Sequence, residues 1–449
     1  MKSCSLAAIG LLALSATSSA CLLPEEREND GHVRVIRGRQ SRNNGTPIGS
    51  GDRFSGGSVA PRGLGSQGSS TSFSTILNVN EIGSGLKGLA STYGLETFTT
   101  PYKTYQGASI QGALVGGSGG QCKDAYRVFL NGNIHARERG SADNVLFFIS
   151  DLLYANKTNA GLSYGSKTYT AAQVKTALSA GIVFVPLSNP DGVAYDQQTN
   201  SCWRKNRNPA SGTGSASGID LNRNFDFLWD FSKKFASSVR SSVASTNPSS
   251  ETYHGTAPFS EPETKGIKWV LDTYSKIRWF VDLHSYAGDV LYSWGSDENQ
   301  SDYPSMNFRN SSFDSVRGIL TDTPGTRGGY GEYIPAAELK TQTTAASRMV
   351  SGLTAGGGGS NRYQAMQSSE LYPTSGASDD YAYSRHFTDP SLNLVHSYTI
   401  EFGFGNQAAS CPFYPTVAQY NANVRATGAG FMELLLAAVE LGLGDKTTC

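Results

Sequence analysis

The chain has 449 residues, enough to bury a large core, and its 37 basic and 37 acidic side chains cancel. That balance, with only 16% charged residues, argues against a nucleic-acid binder, which needs a basic excess, and against a charge-rich disordered chain. Hydrophobic residues at 38%, aromatics at 10% and 51 glycines describe a folded, loop-rich protein.

Residues 1–20 read as a secretory signal, with Lys2, an apolar run from Leu6 to Leu14, and small residues Ser18-Ser19-Ala20 before a cleavage site. The run is too short to span a bilayer, and no other stretch approaches the roughly 20 apolar residues required. The expectation is a secreted, extracellular protein that acts as a monomer, away from membranes. Residues 21–72 are polar, Gly/Ser-rich and dotted with arginines (Arg27, Arg34, Arg37, Arg39, Arg42, Arg53, Arg62). Their low hydrophobicity predicts a segment without packed structure, either a removable prosegment or a linker. Four cysteines (Cys122, Cys202, Cys411, Cys449) lie beyond it, and an oxidising compartment favours pairing. Asn44, Asn156, Asn299 and Asn310 stand in glycosylation triplets.

Ordered patterns begin near Phe73. Tyr126 to Leu130 predicts a strand, Ala142 to Leu153 a helix, and Ala171 to Leu178 another helix capped by Thr170. Ile182 to Leu187 reads as a buried strand stopped by Asn189-Pro190-Asp191-Gly192. Ser260 with Glu263 predicts a capping box opening a helix to about Leu271. Trp279 to Leu283 and Leu394 to Phe402 are further strands, and Ala418 to Leu441 is a long terminal helix. Strands alternating with helices predict an α/β fold: one domain over residues 73–449, a three-layer α/β/α sandwich around a mixed, mostly parallel twisted sheet.

Three residues could gather around a metal ion. His135 and Glu138 sit three apart in a turn after a strand, a spacing that can aim an imidazole and a carboxylate at one point. His284 ends the run Trp279-Phe280-Val281-Asp282-Leu283-His284, at the kind of strand end where α/β sheets bind ligands. Two His and one Glu form a catalytic zinc set with a position open for water. Glu401 ends another apolar strand, where a carboxylate is expensive to bury unless it is paired or used. Beside a zinc-bound water it could act as general base. Arginines in Trp203-Arg204-Lys205 and Asn222-Arg223-Asn224 could supply charge for an oxyanion.

Over Phe73 to Leu443 the chain resembles the secreted zinc carboxypeptidases of the A/B type. The matching blocks stand in family order: His135-Ala136-Arg137-Glu138, Asn189-Pro190-Asp191-Gly192, Trp203-Arg204-Lys205, Asp220-Leu221-Asn222-Arg223-Asn224, Pro258 to Thr264, Leu283-His284-Ser285-Tyr286, Tyr372 to Asp380, and Thr399-Ile400-Glu401. The resemblance implies that His135, Glu138 and His284 hold one zinc ion, that Glu401 is the general base, and that Arg204 stabilises the oxyanion. It implies that Asn222 and Arg223 clamp the C-terminal carboxylate of a peptide or protein substrate, with Tyr372 closing over it. Arg137, Ser285 and Tyr286 then line the path of upstream residues. In this register Asp379 falls where the family decides side-chain preference, and an aspartate there marks enzymes favouring C-terminal Lys or Arg; Thr374 and Gly295 shape the same pocket.

Some features depart from the pattern. Tyr381 stands where Trp is usual, and the 52 polar residues from 21 to 72 replace the folded inhibitory prodomain common in the group. Ser296 to Gly359 and Ser232 to Ser250 read as Gly/Ser-rich insertions. Cys202 and Cys411 each lie close in sequence to the implied site, which suggests a bridge between them at the cleft rim. Three alternatives stay open: a broad or A-type preference for apolar C-termini, hydrolysis of bacterial wall peptides, and a non-catalytic binding protein on a peptidase scaffold.

Overall fold

The computed structural model describes residues 43–117, 122–325, 328–359 and 361–444, together with Leu22 and Glu26. The signal reading over residues 1–20 and Cys449 lie outside these residues. No helix among the described residues is long and apolar enough to cross a membrane.

Eight strands form the central sheet: β1 (Thr97–Lys103), β2 (Ser109–Val115), β3 (Val128–Gly132), β4 (Ile182–Val185), β5 (Trp279–His284), β6 (Asp289–Tyr292), β7 (Gln364–Gln367) and β8 (His396–Glu401). Their spatial order is β1-β2-β4-β3-β5-β8-β6-β7. The contiguous centre β4-β3-β5-β8 is parallel, as is β6 with β7. The remaining pairs are antiparallel, so the sheet is mixed, as expected.

Side chains alternate across a strand, so each central strand feeds two cores. Val128 and Leu130 of β3 face one core, and Phe129 faces the other; in β5, Val281 and Leu283 oppose Phe280. The first core is closed by α1 (Val79–Tyr93), α2 (Ser141–Thr158), α3 (Ala171–Ser179), α5 (Ala336–Gly356) and α7 (Val417–Leu441). The second is closed by α4 (Pro262–Thr273) and α6 (Ser378–Thr388). This is the expected three-layer architecture. Each of these strand side chains is fully buried, worth about 1.5–3 kcal/mol relative to exposure.

The expected strands and helices are present with ends displaced by a few residues, and Thr170 caps α3 in a box with Gln173. The Ser260–Glu263 box is not formed. Pro262 takes the first helical position of α4, which moves the cap to Glu261 and leaves Ser260 one residue too early. Ser260 Oγ instead donates to Glu261 Oε1 at 2.8 Å, and Glu263 accepts from Asn206.

The expectation that residues 21–72 lack packed structure is corrected over residues 43–72. Phe54 and Leu64 are buried, and the backbone N–H groups of Gly65 and Ser66 donate to the Asp151 carboxylate at 2.8 and 2.9 Å. Glycine here permits close approach: a Cβ on Gly65 would lie 2.3 Å from the Tyr164 ring. The segment Ser296 to Gly359, read as a Gly/Ser-rich insertion, contains the 21-residue helix α5.

Candidate metal centre and active site

The parallel register brings the ends of three strands together. Glu401 of β8 pairs with His284 of β5, and Gly132 of β3 pairs with Leu283. Leu283 and Ile400 point into the first core, so His284 and Glu401 both lie on the opposite face of the sheet. After β3 the chain turns through Asn133, whose φ of 53° is a left-handed conformation that Asn tolerates. Asn133 Nδ2 donates to the carbonyls of His135 and Glu138 at 3.2 and 3.3 Å, and its Oδ1 caps the start of α2 at Ala142 N. One side chain thus fixes the turn that carries both residues.

His135, Glu138 and His284 are fully buried, and each offers one donor atom within 4.8 Å of the others. Glu138 Oε1 lies 2.8 Å from His135 Nδ1, Glu138 Oε2 lies 3.3 Å from His284 Nδ1, and the two Nδ1 atoms are 3.1 Å apart. Two nitrogens bound to a tetrahedral zinc ion are separated by about 3.4 Å, so this donor set fits the ion. Each outer nitrogen faces a carboxylate: His135 Nε2 is 3.0 Å from Asp220 Oδ1, and His284 Nε2 is 3.4 Å from Asp282 Oδ2. A carboxylate can only accept, which puts the proton on Nε2 and leaves the Nδ1 lone pair facing the centre.

Asp220 and Asp282 carry no role in the sequence reading, although signals for both are present. Asp282 precedes His284 by two residues and so shares its face of β5; it also accepts from Asn131 Nδ2 at 2.8 Å and Ser378 Oγ at 2.6 Å. Asp220 caps the turn bearing Asn222, whose N–H it accepts at 3.0 Å, and its Oδ2 takes Arg204 Nη2 at 2.9 Å and Nε at 3.3 Å. Burial opposes its ionisation, but Arg204 and His135 outweigh burial and hold it well below the usual carboxylate range.

Arg223 is buried, and its Nε donates to Val243 O at 2.9 Å and its Nη1 to Asn222 O at 2.7 Å. Among the described residues its Nη2 has no hydrogen-bond partner. Val243 belongs to the expected insertion Ser232 to Ser250, which therefore buttresses this arginine. Tyr372 stands beside it, with its ring 5.8 Å from the guanidinium carbon. Asn222 Oδ1 accepts Ser378 N at 2.8 Å, at the start of α6.

Asp379, in the first turn of α6, is buried. Its Oδ2 accepts Thr399 Oγ1 at 3.2 Å and Ser368 Oγ at 3.3 Å, and its Oδ1 accepts Asp380 N at 2.9 Å. Burial pushes its pKa upward. Asp380 accepts Gly295 N at 2.9 Å, and Thr374 N donates to Gly295 O at 2.7 Å, so Gly295 and Thr374 do adjoin this acid pair.

On the other side of the metal centre Ser285 N donates to Glu138 Oε2 at 3.2 Å, and Tyr286 packs edge-on to Phe413 at 4.8 Å. Phe413 also covers the guanidinium of Arg137 at 4.4 Å. Cys202 and Cys411 form the expected disulfide, tying the strand of chain before Arg204 to the segment that carries Phe413.

A zinc carboxypeptidase family model matches residues 86–427. The chain is 34% identical over 223 residues to zinc carboxypeptidase A 1 of Drosophila melanogaster, covering 49% of this chain and 45% of that protein. It is 28% identical over 218 residues to carboxypeptidase B of Astacus astacus, covering 48% of this chain and 63% of that protein. The match thus spans about half the length of these relatives. Among solved structures it superposes on thrombin activatable fibrinolysis inhibitor with a TM-score of 0.59 and 20% identity, over 82% of this chain and 75% of that one, a likeness of fold. With the family model matched over most of the chain, on a sheet that gathers two histidines and a glutamate at its strand ends, the protein belongs to the zinc carboxypeptidase family.

Proposed function

We propose that the protein is a secreted zinc-dependent exopeptidase that hydrolyses the last peptide bond of peptides and proteins, with a preference for C-terminal Lys or Arg. The observation that carries this reading is a buried arginine, Arg223, whose Nη2 has no hydrogen-bond partner among the described residues and which lies between Leu221 and Phe225 in the second core, on the face that carries His284 and Glu401.

Zinc, when bound by His135, Glu138 and His284, supplies a Lewis acid that lowers the pKa of water at the site to about 7. The chain's own groups do the rest. Arg223 presents Nη2 to the terminal carboxylate, with Asn222 alongside and Tyr372 closing over it. This clamp sets which peptide bond stands before Glu401, and a mid-chain peptide lacks the charge that would pair with it. Glu401 takes a proton from the attacking water and returns it to the leaving nitrogen. Arg204, oriented by Asp220, offers positive charge to the oxygen that becomes negative, a contribution of roughly 3–4 kcal/mol for one preorganised donor. Arg137, Ser285 and Tyr286 line the upstream path.

Asp379 supports the basic preference, since a carboxylate on a pocket floor pairs with a cationic side chain. The same residue supplies the argument for a broad preference: two hydroxyls and one amide already bond it, and burial favours its neutral form. A panel of peptides ending in Lys, Arg, Phe, Leu or Glu decides between them. The basic reading expects Lys and Arg to lead in kcat/KM and Asp379→Asn to remove the lead. Equal kcat/KM for Lys and Phe peptides in the unaltered protein would establish the broad alternative.

A further inference from the structure

We propose that Ser378 couples the carboxylate clamp to the metal centre, so that a substrate C-terminus on Asn222 and a zinc ion on His284 each strengthen the binding of the other. The proposal rests on the carboxypeptidase reading, which gives Asn222 and His284 their roles. Ser378 is the first residue of α6, where a helix leaves its N–H groups without intrahelical partners. Its N–H donates to Asn222 Oδ1 at 2.8 Å. Its Oγ donates to Asp282 Oδ2 at 2.6 Å, and that same oxygen stands 3.4 Å from His284 Nε2. Ser378 is 1% exposed and Asp282 and His284 are fully buried, so water does not compete for these contacts.

Asn131 Nδ2 holds the other oxygen of Asp282 at 2.8 Å, which leaves Oδ2 to be shared between the serine hydroxyl and the imidazole. The serine therefore fixes where that oxygen lies against His284 Nε2, and an imidazole held at its outer nitrogen keeps its inner lone pair on the centre. At the other end, the nitrogen and oxygen of the Asn222 amide are conjugated. A carboxylate that accepts from Nδ2 makes Oδ1 more negative and tightens its bond from Ser378 N. That N–H and the hydroxyl belong to one residue, so a pull on the first moves the second against Asp282. Asn222 has another path to the metal centre, since its backbone N–H and His135 Nε2 share Asp220 Oδ1. That path leaves from the backbone and is pinned by Arg204, so it does not sense what the Asn222 side chain holds. Ser378 is thus a positioning residue that acts through Asp282.

The test titrates N-acetyl-lysine and N-acetyl-phenylalanine into the full-length protein by calorimetry, with zinc removed by chelation and with zinc restored. The native chain is compared with Ser378→Ala and Ser378→Thr. Alanine keeps the N–H that holds Asn222 and removes the hydroxyl that holds Asp282, so the zinc-free proteins should bind alike. The tightening on zinc addition should be about ten-fold greater in the native chain than in Ser378→Ala, the scale of one hydrogen bond to a charged group, and Ser378→Thr should restore it. By linkage the same factor appears in zinc affinity, measured against a competing chelator with and without the acetylated amino acid. Equal tightening in the native chain and Ser378→Ala overturns the proposal. So does its loss in Ser378→Thr, which would assign the effect to packing. A native chain that zinc does not tighten overturns it without recourse to either variant. If neither amino acid binds with or without zinc, the carboxypeptidase reading fails and this proposal with it, whereas equal tightening beside intact peptide hydrolysis sinks the proposal alone.

Discussion

Replacing Asp220 by asparagine separates what a carboxylate does from what its shape does. In the native chain Oδ1 serves His135 Nε2 and Asn222 N, both at 3.0 Å, while Oδ2 serves Arg204. An amide offers one acceptor oxygen and one NH2. If the oxygen turns to Arg204, the NH2 meets His135 Nε2 and demands the other tautomer, with its proton aimed at the metal position. If the oxygen turns to His135, the NH2 meets a buried guanidinium. Either arrangement leaves Arg204 without its counter-charge, a loss of about 3–5 kcal/mol in stability for a broken buried pair. Zinc affinity should fall about 10–100-fold, the usual cost of losing a carboxylate behind a histidine ligand. The folded-state pKa of Asp220 lies below its unfolded value, so its contribution is full above about pH 4 and is lost as pH falls through the depressed value. The assay is zinc binding against a competing chelator, run beside urea denaturation. Arg204→Gln serves as control, because it removes the same ion pair but leaves His135 its acceptor. Zinc affinity of the Asp220 variant equal to the native value, or an equal loss in the Arg204 control, refutes the reasoning.

Two further outcomes are expected. Glu401→Gln should retain zinc and lower kcat by about 10²–10⁴-fold, the range for removing a general base; stoichiometric zinc analysis beside steady-state kinetics checks it, and undiminished kcat sinks the assignment. Glu263 is buried, one of its oxygens has no partner among the described residues, and burial pushes its pKa up to about 8, so its contribution is full below its unfolded pKa and is lost as pH rises from there to 8. Glu263→Gln should therefore flatten the decline of the urea midpoint between about pH 5 and 8, and an unchanged slope would remove Glu263 as its source.

Much of the sheet and the metal set was legible in the sequence for a simple reason. The central strands are buried on both faces, so Val128 to Leu130, Ile182 to Val185 and Trp279 to Val281 appear as continuous apolar runs followed by polar residues or turns. Helix α5 was hidden because its contacts use small residues. A Cβ on Gly352 would lie 2.7 Å from the carbonyl oxygen of Ala429 in α7, so a glycine that looks like loop composition is there to let two helices approach. Residues 43–72 were misread on the same ground. Asp220 and Asp282 were present in the quoted blocks, but a carboxylate that acts by holding a histidine has no spacing rule in one dimension.

The two ends of the proposed site share one strand. Thr399 Oγ1 bonds Asp379 on the floor of the side-chain pocket, and Glu401 follows two residues later on the same face of β8. Two residues along a strand span about 6.6–6.8 Å, roughly the distance from a C-terminal side chain to the bond that precedes it. β8 lies between β5 and β6 and is hydrogen-bonded on both edges, so neither Thr399 nor Glu401 can shift without breaking the ladder. The separation of Thr399 from Glu401 is thereby set by strand geometry, while Asp379 rides on α6 and is tied to that strand by the Thr399 hydrogen bond. Alteration of the segment that holds Arg223 through Val243 O would shift the carboxylate clamp, and on this reading that would change which bond stands before Glu401.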